Sequence, residues 1–148
     1  MKNSVFQEKF LKYGVLHSSE LISRHDVFVE EYHRKIRIEG EVALEMVRSQ
    51  IYPAAIGEFA KISSALESVR NNKLSSGSRA LEDSAEKLGS LLDKLYSGSL
   101  DLEKALSDSH ESIRRSMHEL RLTVDELELV MDDSAWPLPK YREMLFVY

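Results

Sequence analysis

The sequence predicts an all-α fold: an up-down bundle of three to four helices, with one long helix kinked at Pro53 and an aromatic docking tail. Three observations carry this. Of 148 residues, 43% are hydrophobic and 30% charged, with only 6 Gly and 3 Pro, the balance of a helix-rich globular chain. Apolar residues recur at 4-3-4-3 spacing through Ala55, Phe59, Ile62, Leu66 and Val69, and again through Leu81, Ala85, Leu88, Leu92 and Leu95, the stripe of a helix packed in a bundle. Glu20, Glu30 and Glu31 each stand four residues before a base, at Arg24, Arg34 and Lys35, the favourable order for ion pairs on an exposed helix surface.

In chain order, residues 4–13 fit a short amphipathic helix presenting Val5, Phe6, Phe10 and Leu11, stopped at Gly14. Ser18 or Ser19 then caps a long helix from about 18 to 70. Pro53 lies inside it. It has no N–H for the Ser49 carbonyl and its ring crowds that oxygen, yet the apolar pattern continues on both sides, so a kink is expected rather than a stop, with Gly57 adding pliancy. "NNKLSSGS" reads as a loop. A helix follows over about 79–96, ended by a turn at "YSGS", and another over about 101–132 through Leu102, Leu106, Ile113, Met117, Leu120, Val124, Leu127 and Met131. Short connections make sequential helices antiparallel neighbours, so residues 1–148 form a single helical domain.

The chain closes on "DDSAWPLPKYREMLFVY", where the single Trp and two of the 3 Pro crowd together. Pro137 and Pro139 forbid continued helix and bias the residues before them toward extended backbone, so the chain must leave the helix axis near Asp133. The segment 134–148 then reads as a docking tail, with Trp136, Pro137, Pro139, Tyr141, Leu145 and Phe146 as its contact residues. It folds back on the bundle or docks on a neighbouring subunit.

Several chemistries are disfavoured. A net charge of −5 gives no general affinity for nucleic acid. Zero Cys removes disulfides and thiolate chemistry. "MKNSVFQEKF" lacks an apolar signal core and no apolar run approaches the ~18 residues of a membrane span, so no membrane partner and a cytoplasmic location are expected. The 5 His include no pair at the i,i+3 or i,i+4 spacing of a helical zinc site. His33, in "EYHRKIRIEG", departs from the H-x-x-K-G pattern of histidine phosphotransfer bundles because Ile36 stands where the Lys belongs, and it reads as a solvated surface side chain. Asp125, Glu126, Glu128, Asp132 and Asp133 lack the loop that wraps calcium and read as a solvated or partner-facing acidic surface. No catalytic, cofactor-binding or metal-ligating residue is nominated.

Two stretches carry a resemblance. Residues 9–55 show "KYGVL", "E-L-x-S-R" at Glu20 to Arg24, "E-x-Y" around Glu31 and Tyr32, "I-E" at Ile38 and Glu39, and "I-x-P-A" at Ile51 to Ala54. Residues 117–146 show "L-R-x-x-V-D-E-L-E" and "W-P-x-P-x-Y-x-x-(M/L)-L-F". In this order and at opposite ends of the chain, they resemble the segment after the catalytic region and the carboxyl end of type III glutamine synthetases. Gly40 departs from the Ala more usual there, at a local helix cost of roughly 1 kcal/mol.

The resemblance implies a non-catalytic carboxyl-terminal helical domain with a structural, assembly or regulatory role. The parent enzyme would join ammonia to glutamate with ATP and a divalent metal, and those groups would belong to an upstream catalytic domain, leaving no cofactor in this chain. The implied partners are that upstream domain, other subunits of the oligomer, or a second copy of the chain. Two other readings stand beside this one: a free-standing helical protein-interaction module, and a small phosphotransfer bundle using His33 or His118.

Overall fold

The computed structural model describes residues 17–73 and 76–145, together with Lys9 and residues 12–14. An unbroken helical rod comes first: α1 (Ser18–Met46), a π-helical turn (Val47–Ile51) and α2 (Tyr52–Asn71). At the π turn the Tyr52 N–H donates to the Val47 carbonyl, five residues back, and the Ser49 hydroxyl donates to the Glu45 carbonyl at 2.7 Å. The extra residue restarts the hydrogen-bond frame, and Pro53 falls in the first turn of α2, where a missing N–H costs nothing. Helix therefore passes Pro53 without a loop. The expected helix over 4–13 lies mostly outside the described residues; at its end Tyr13 donates its N–H to the Lys9 carbonyl at 3.1 Å, and Gly14 turns with φ +63°.

Beyond a connection in which Gly77 adopts φ +88°, α3 (Ser78–Ala105) returns along the rod, and α4 (His110–Glu128) runs back along α3. This division corrects the sequence expectation of helices over 79–96 and 101–132. "YSGS" is no turn. A Cβ on Gly98 would stand 3.1 Å from Leu120 Cδ1, and Ser99 is buried with its hydroxyl donated to the Tyr96 carbonyl at 2.7 Å. The small residues thus mark where α4 crosses close to α3. The real break follows Ala105: the Leu106, Ser107 and Asp108 amides fold back on the end of α3, and Ser109 caps α4 by accepting the Ser112 N–H at 3.2 Å. Leu102 and Leu106 therefore belong to the end of α3, and α4 stops at Glu128, short of 132.

Leu88, Leu95 and Leu102 on α3 meet Ile113 and Leu127 on α4, all 1% exposed or less, with Ala55 and Ile51 from the rod. Each fully buried Leu or Ile contributes roughly 1.5–3 kcal/mol. Outside this core, the Arg48 guanidinium grips Glu103 through two hydrogen bonds, at 2.9 and 2.6 Å, tying the π turn to α3 and holding the Glu103 carboxyl below the usual carboxylate range.

Gly40 is buried where α1 meets α4: an added Cβ would come within 2.9 Å of Ile113 Cγ2 and 3.0 Å of Leu106 Cδ2. Helix propensity alone favours Gly40→Ala by roughly 1 kcal/mol. Overpacking against a stiff, fully buried Ile costs about 1–3 kcal/mol. Gly40→Ala is therefore expected to lower stability by about 1 kcal/mol in a denaturant titration; a stabilised variant would show that the crossing is looser than described.

Candidate docking surface and histidine pair

Nothing on α1 is buried before Ile36. Residues 18–35 extend roughly 27 Å at ~1.5 Å per residue. Along this segment the face that packs at Ile36 and Gly40 continues. Ile22 and Val29 precede Ile36 at seven-residue steps, and Phe28 and Tyr32 precede it at four-residue steps, so all four share its side of the helix. Yet Ile22, Phe28 and Tyr32 are 55%, 67% and 49% exposed. The opposite side carries the ion pair Arg34–Glu30 at 3.1 Å, while Lys35–Glu31 at 2.8 Å flanks the stripe, Lys35 standing seven residues after Phe28. A bundle-type stripe is thus built whose Ile22, Phe28 and Val29 are left without a partner among the described residues, Tyr32 alone being met by Arg114 of α4.

At the other end the chain leaves α4 through Leu129 to Met131, whose turn is closed by the Val130 and Met131 amides donating to the Leu127 carbonyl, both at 3.0 Å. Asp132 then organises a tight turn: its carboxylate accepts the Ser134 N–H at 2.8 Å and the Ser134 hydroxyl at 2.7 Å, which hold its pKa below the ordinary value, the hydroxyl foremost. The turn delivers Trp136 into the core beside Met131, with Ala135 and Leu138 against it. Pro137 is half-buried, Pro139 exposed, and Lys140 pairs with Asp133. A short helix, α5 (Tyr141–Leu145), follows.

The tail residues nominated from sequence therefore divide. Trp136 is buried in the chain's own core, whereas Leu145 is 73% exposed among the described residues. The Tyr141 side chain and Phe146 lie outside the described residues. The tail, α1 and α4 together border an open groove of about 860 Å³, floored by Ile36, Val47, Ile51 and Leu120.

Beside the crossing, the rings of His33 and His110 stack at 3.5 Å with 13° between their planes. This corrects the solvated reading of His33, which is half-buried. Such stacking turns ring faces together and sends the nitrogen lone pairs along the ring planes, so the pair does not chelate. Arg37 lies close enough to act on His110, and Arg114 Nη1 donates to the Tyr32 hydroxyl at 3.2 Å. Partial burial, then the like charges of His33 and Arg37, hold the His110 pKa below its ordinary value. His33 and His110 are far apart in the chain and on different helices, which is why no sequence spacing revealed them.

Residues 2–70 match the family model described as glutamine synthetase C-terminal domain. The chain is 26% identical over 157 residues to a type-3 glutamine synthetase of Dictyostelium discoideum, covering 93% of this chain and 21% of the relative. It is 26% identical over 152 residues to a glutamine synthetase of Butyrivibrio fibrisolvens, covering 93% and 21%, and 24% identical over 149 residues to one of Bacteroides fragilis, covering 89% and 20%. The chain thus spans about a fifth of the length of the curated relatives it matches. No solved structure matches it.

Two outcomes follow from this geometry. Trp136→Ala is expected to cost about 3 kcal/mol of unfolding free energy, as large aromatic truncations in a core do, while Leu145→Ala stays within about 0.5 kcal/mol. Equal effects would mean that the tail is not anchored through Trp136. Because the fold favours neutral His110 relative to its ordinary pKa of 6.5, stability from this residue is present above that pH and lost as pH falls through the depressed native value. A melting series from pH 7.5 to 5 should fall, and His110→Gln should flatten it; Glu103 and Asp132, also depressed, act at lower pH, below their ordinary values of 4.5 and 3.8.

Proposed function

Because the chain belongs to the glutamine synthetase family as its carboxyl-terminal domain, we propose that it is a non-catalytic docking and assembly domain, whose projecting α1 packs against the catalytic part of the parent enzyme. The stripe of Ile22, Phe28 and Val29, unpartnered among the described residues, carries this reading. It repeats the spacing of the stripe that α1 buries lower down, and a helix whose packed face runs on beyond its own bundle is built to be covered. The family match over residues 2–70 includes this segment, and the curated relatives are about five times longer than the chain, so they hold ample further structure to cover it.

The parent reaction, ligation of ammonia to glutamate with ATP and a divalent metal, belongs on this reading to the remaining four-fifths of the enzyme. The residues support that division: the carboxylates of α4 are spread along one helix and engage bases, as in Lys94–Glu126 at 3.7 Å and Arg121–Asp125 at 3.8 Å, rather than converging on one point. A free-standing interaction module would use the same surface on a foreign partner. A phosphotransfer role for His33 is disfavoured by the His110 ring stacked against it.

The test is Phe28→Glu with Val29→Glu, made both in the isolated domain and in a glutamine synthetase that carries it. Both side chains are exposed, so the isolated domain should melt within about 0.5 kcal/mol of wild type. The full enzyme should lose assembly, read as a smaller species in sedimentation. Unchanged assembly and activity in the full enzyme would overturn the docking role, and glutamine formation by the isolated domain, scaling with protein across independent preparations, would overturn the non-catalytic one.

A further inference from the structure

Positive charge collects at one corner of an otherwise acidic molecule. Many bases elsewhere are neutralised by nearby carboxylates, as Arg24 by Glu20, Arg34 by Glu30, Arg48 by Glu103 and Arg70 by Glu82, and those that are not, such as Lys73, Arg79 and Lys87, do not line the pocket at this corner. By contrast Arg37, Arg114 and Arg115 form no ion pair among the described residues, and all three lie around the stacked His33 and His110, with His118 two turns further along α4. An open pocket of about 770 Å³ lies there, and Glu111 is the one carboxylate among the described residues that line it. The net charge of −5 makes this concentration of unpaired bases a local feature, not a consequence of composition.

Three physical points converge on an anionic ligand. Arg114 spends one guanidinium N–H on a phenol, leaving the rest of its donor fork free. Two imidazoles stacked at 3.5 Å resist double protonation unless a counter-charge stands beside them. The pocket opens at the start of α4, where the helix dipole adds positive potential. Guanidinium forks and imidazole N–H groups aimed from two helices suit a tetrahedral oxyanion with several acceptor oxygens better than a planar carboxylate.

We propose that the corner formed by His33, Arg37, His110, Arg114, Arg115 and His118 is a binding site for the phosphate group of a small soluble molecule. The ligand would clamp α1 to α4 beside the projecting segment and would be held more tightly as the histidines protonate. The charged and titratable groups facing the pair are Tyr32 and Arg37 from α1, Asp108 from the α3–α4 turn, and Glu111, Arg114, Arg115 and His118 from α4. Asp108 accepts the Ser112 hydroxyl at 2.7 Å and keeps its charge, so the three guanidinium groups of Arg37, Arg114 and Arg115 outnumber the two carboxylates of Asp108 and Glu111, and the balance is positive before any histidine protonates.

The whole chain, titrated with inorganic phosphate at fixed ionic strength while its histidine ring resonances are followed, tests this. The expected result is a saturable shift of the His33 and His110 signals with a midpoint of about 1 mM or below, weakened at least about tenfold in Arg114→Gln with Arg115→Gln. Sulfate, whose charge is constant between pH 6 and 8, should bind several-fold more tightly at pH 6. Should the double variant melt lower than wild type, Arg115→Gln alone supplies the comparison, since that side chain makes no hydrogen bond among the described residues. Shifts reproduced by sodium chloride, a midpoint untouched by the arginine substitutions, or sulfate affinity independent of pH would each overturn the proposal.

Discussion

The close approach of α1 to α4 at Gly40 is the constraint on which the rest of the molecule depends. With no side chain at that point, the rod lies directly on Ile113 and Leu106. Because α4 runs the same way as α1 along this contact, everything else follows in register: His33 meets His110 before the crossing, Tyr32 meets Arg114 beside them, and Met117 reaches the crossing itself. A wider approach would separate the histidine rings and open the floor of the groove. The glycine that helix propensity counts as a weakness is what lets two helices share one core.

A second close approach, at Gly98 against Leu120, brings α4 onto α3 in the same manner, and α4 is thereby held against both α1 and α3. The central element is α3, which meets α1, the π turn, α2 and α4, and α4 is more polar in composition than a core helix usually is. The buried residues of α4 fall on one narrow line, Ile113, Leu120 and Leu127, at successive seven-residue steps, which leaves the remaining faces free to carry His110, Arg114, Arg115 and His118. Trp136 completes the end of that line after the chain has turned at Asp132, so the tail seals the bundle where α4 runs out.

The stripes and the long rod were legible in the sequence because period and length are local properties. The helix boundary after Ala105 was not, for an instructive reason: Leu102 and Leu106 extend the apolar pattern up to the break and Ile113 resumes it beyond, while Gly98 and Ser99 supply turn-like residues inside a continuous helix. Small residues at a close crossing and small residues in a turn look alike until the partner, Leu120, is known. The π turn had no signal except Pro53, whose consequence the backbone absorbed by adding a residue. The tail's apolar content was plain, but only geometry separates Trp136, which reaches the core, from Leu145, which stands in solvent.

The exposed stripe on α1 and the buried one are a single pattern, and the bundle ends partway along it. Protein surfaces tolerate isolated apolar residues, but here Ile22, Phe28, Val29 and Tyr32 keep the helical register of Ile36 and Gly40 over two further turns and more. Continuity of register distinguishes a built surface from scattered exposure: each residue alone is ordinary, whereas the shared face is what α4 recognises a few residues later. The remainder of the domain can then be understood as a clamp on one end of this helix. Core leucines, the Arg48–Glu103 pair and the Trp136 seal fix the lower part of the rod, and so fix the direction in which the upper part points. On the docking role proposed above, a projecting helix held this way would meet its partner already ordered, with less entropy to lose than a free segment would have.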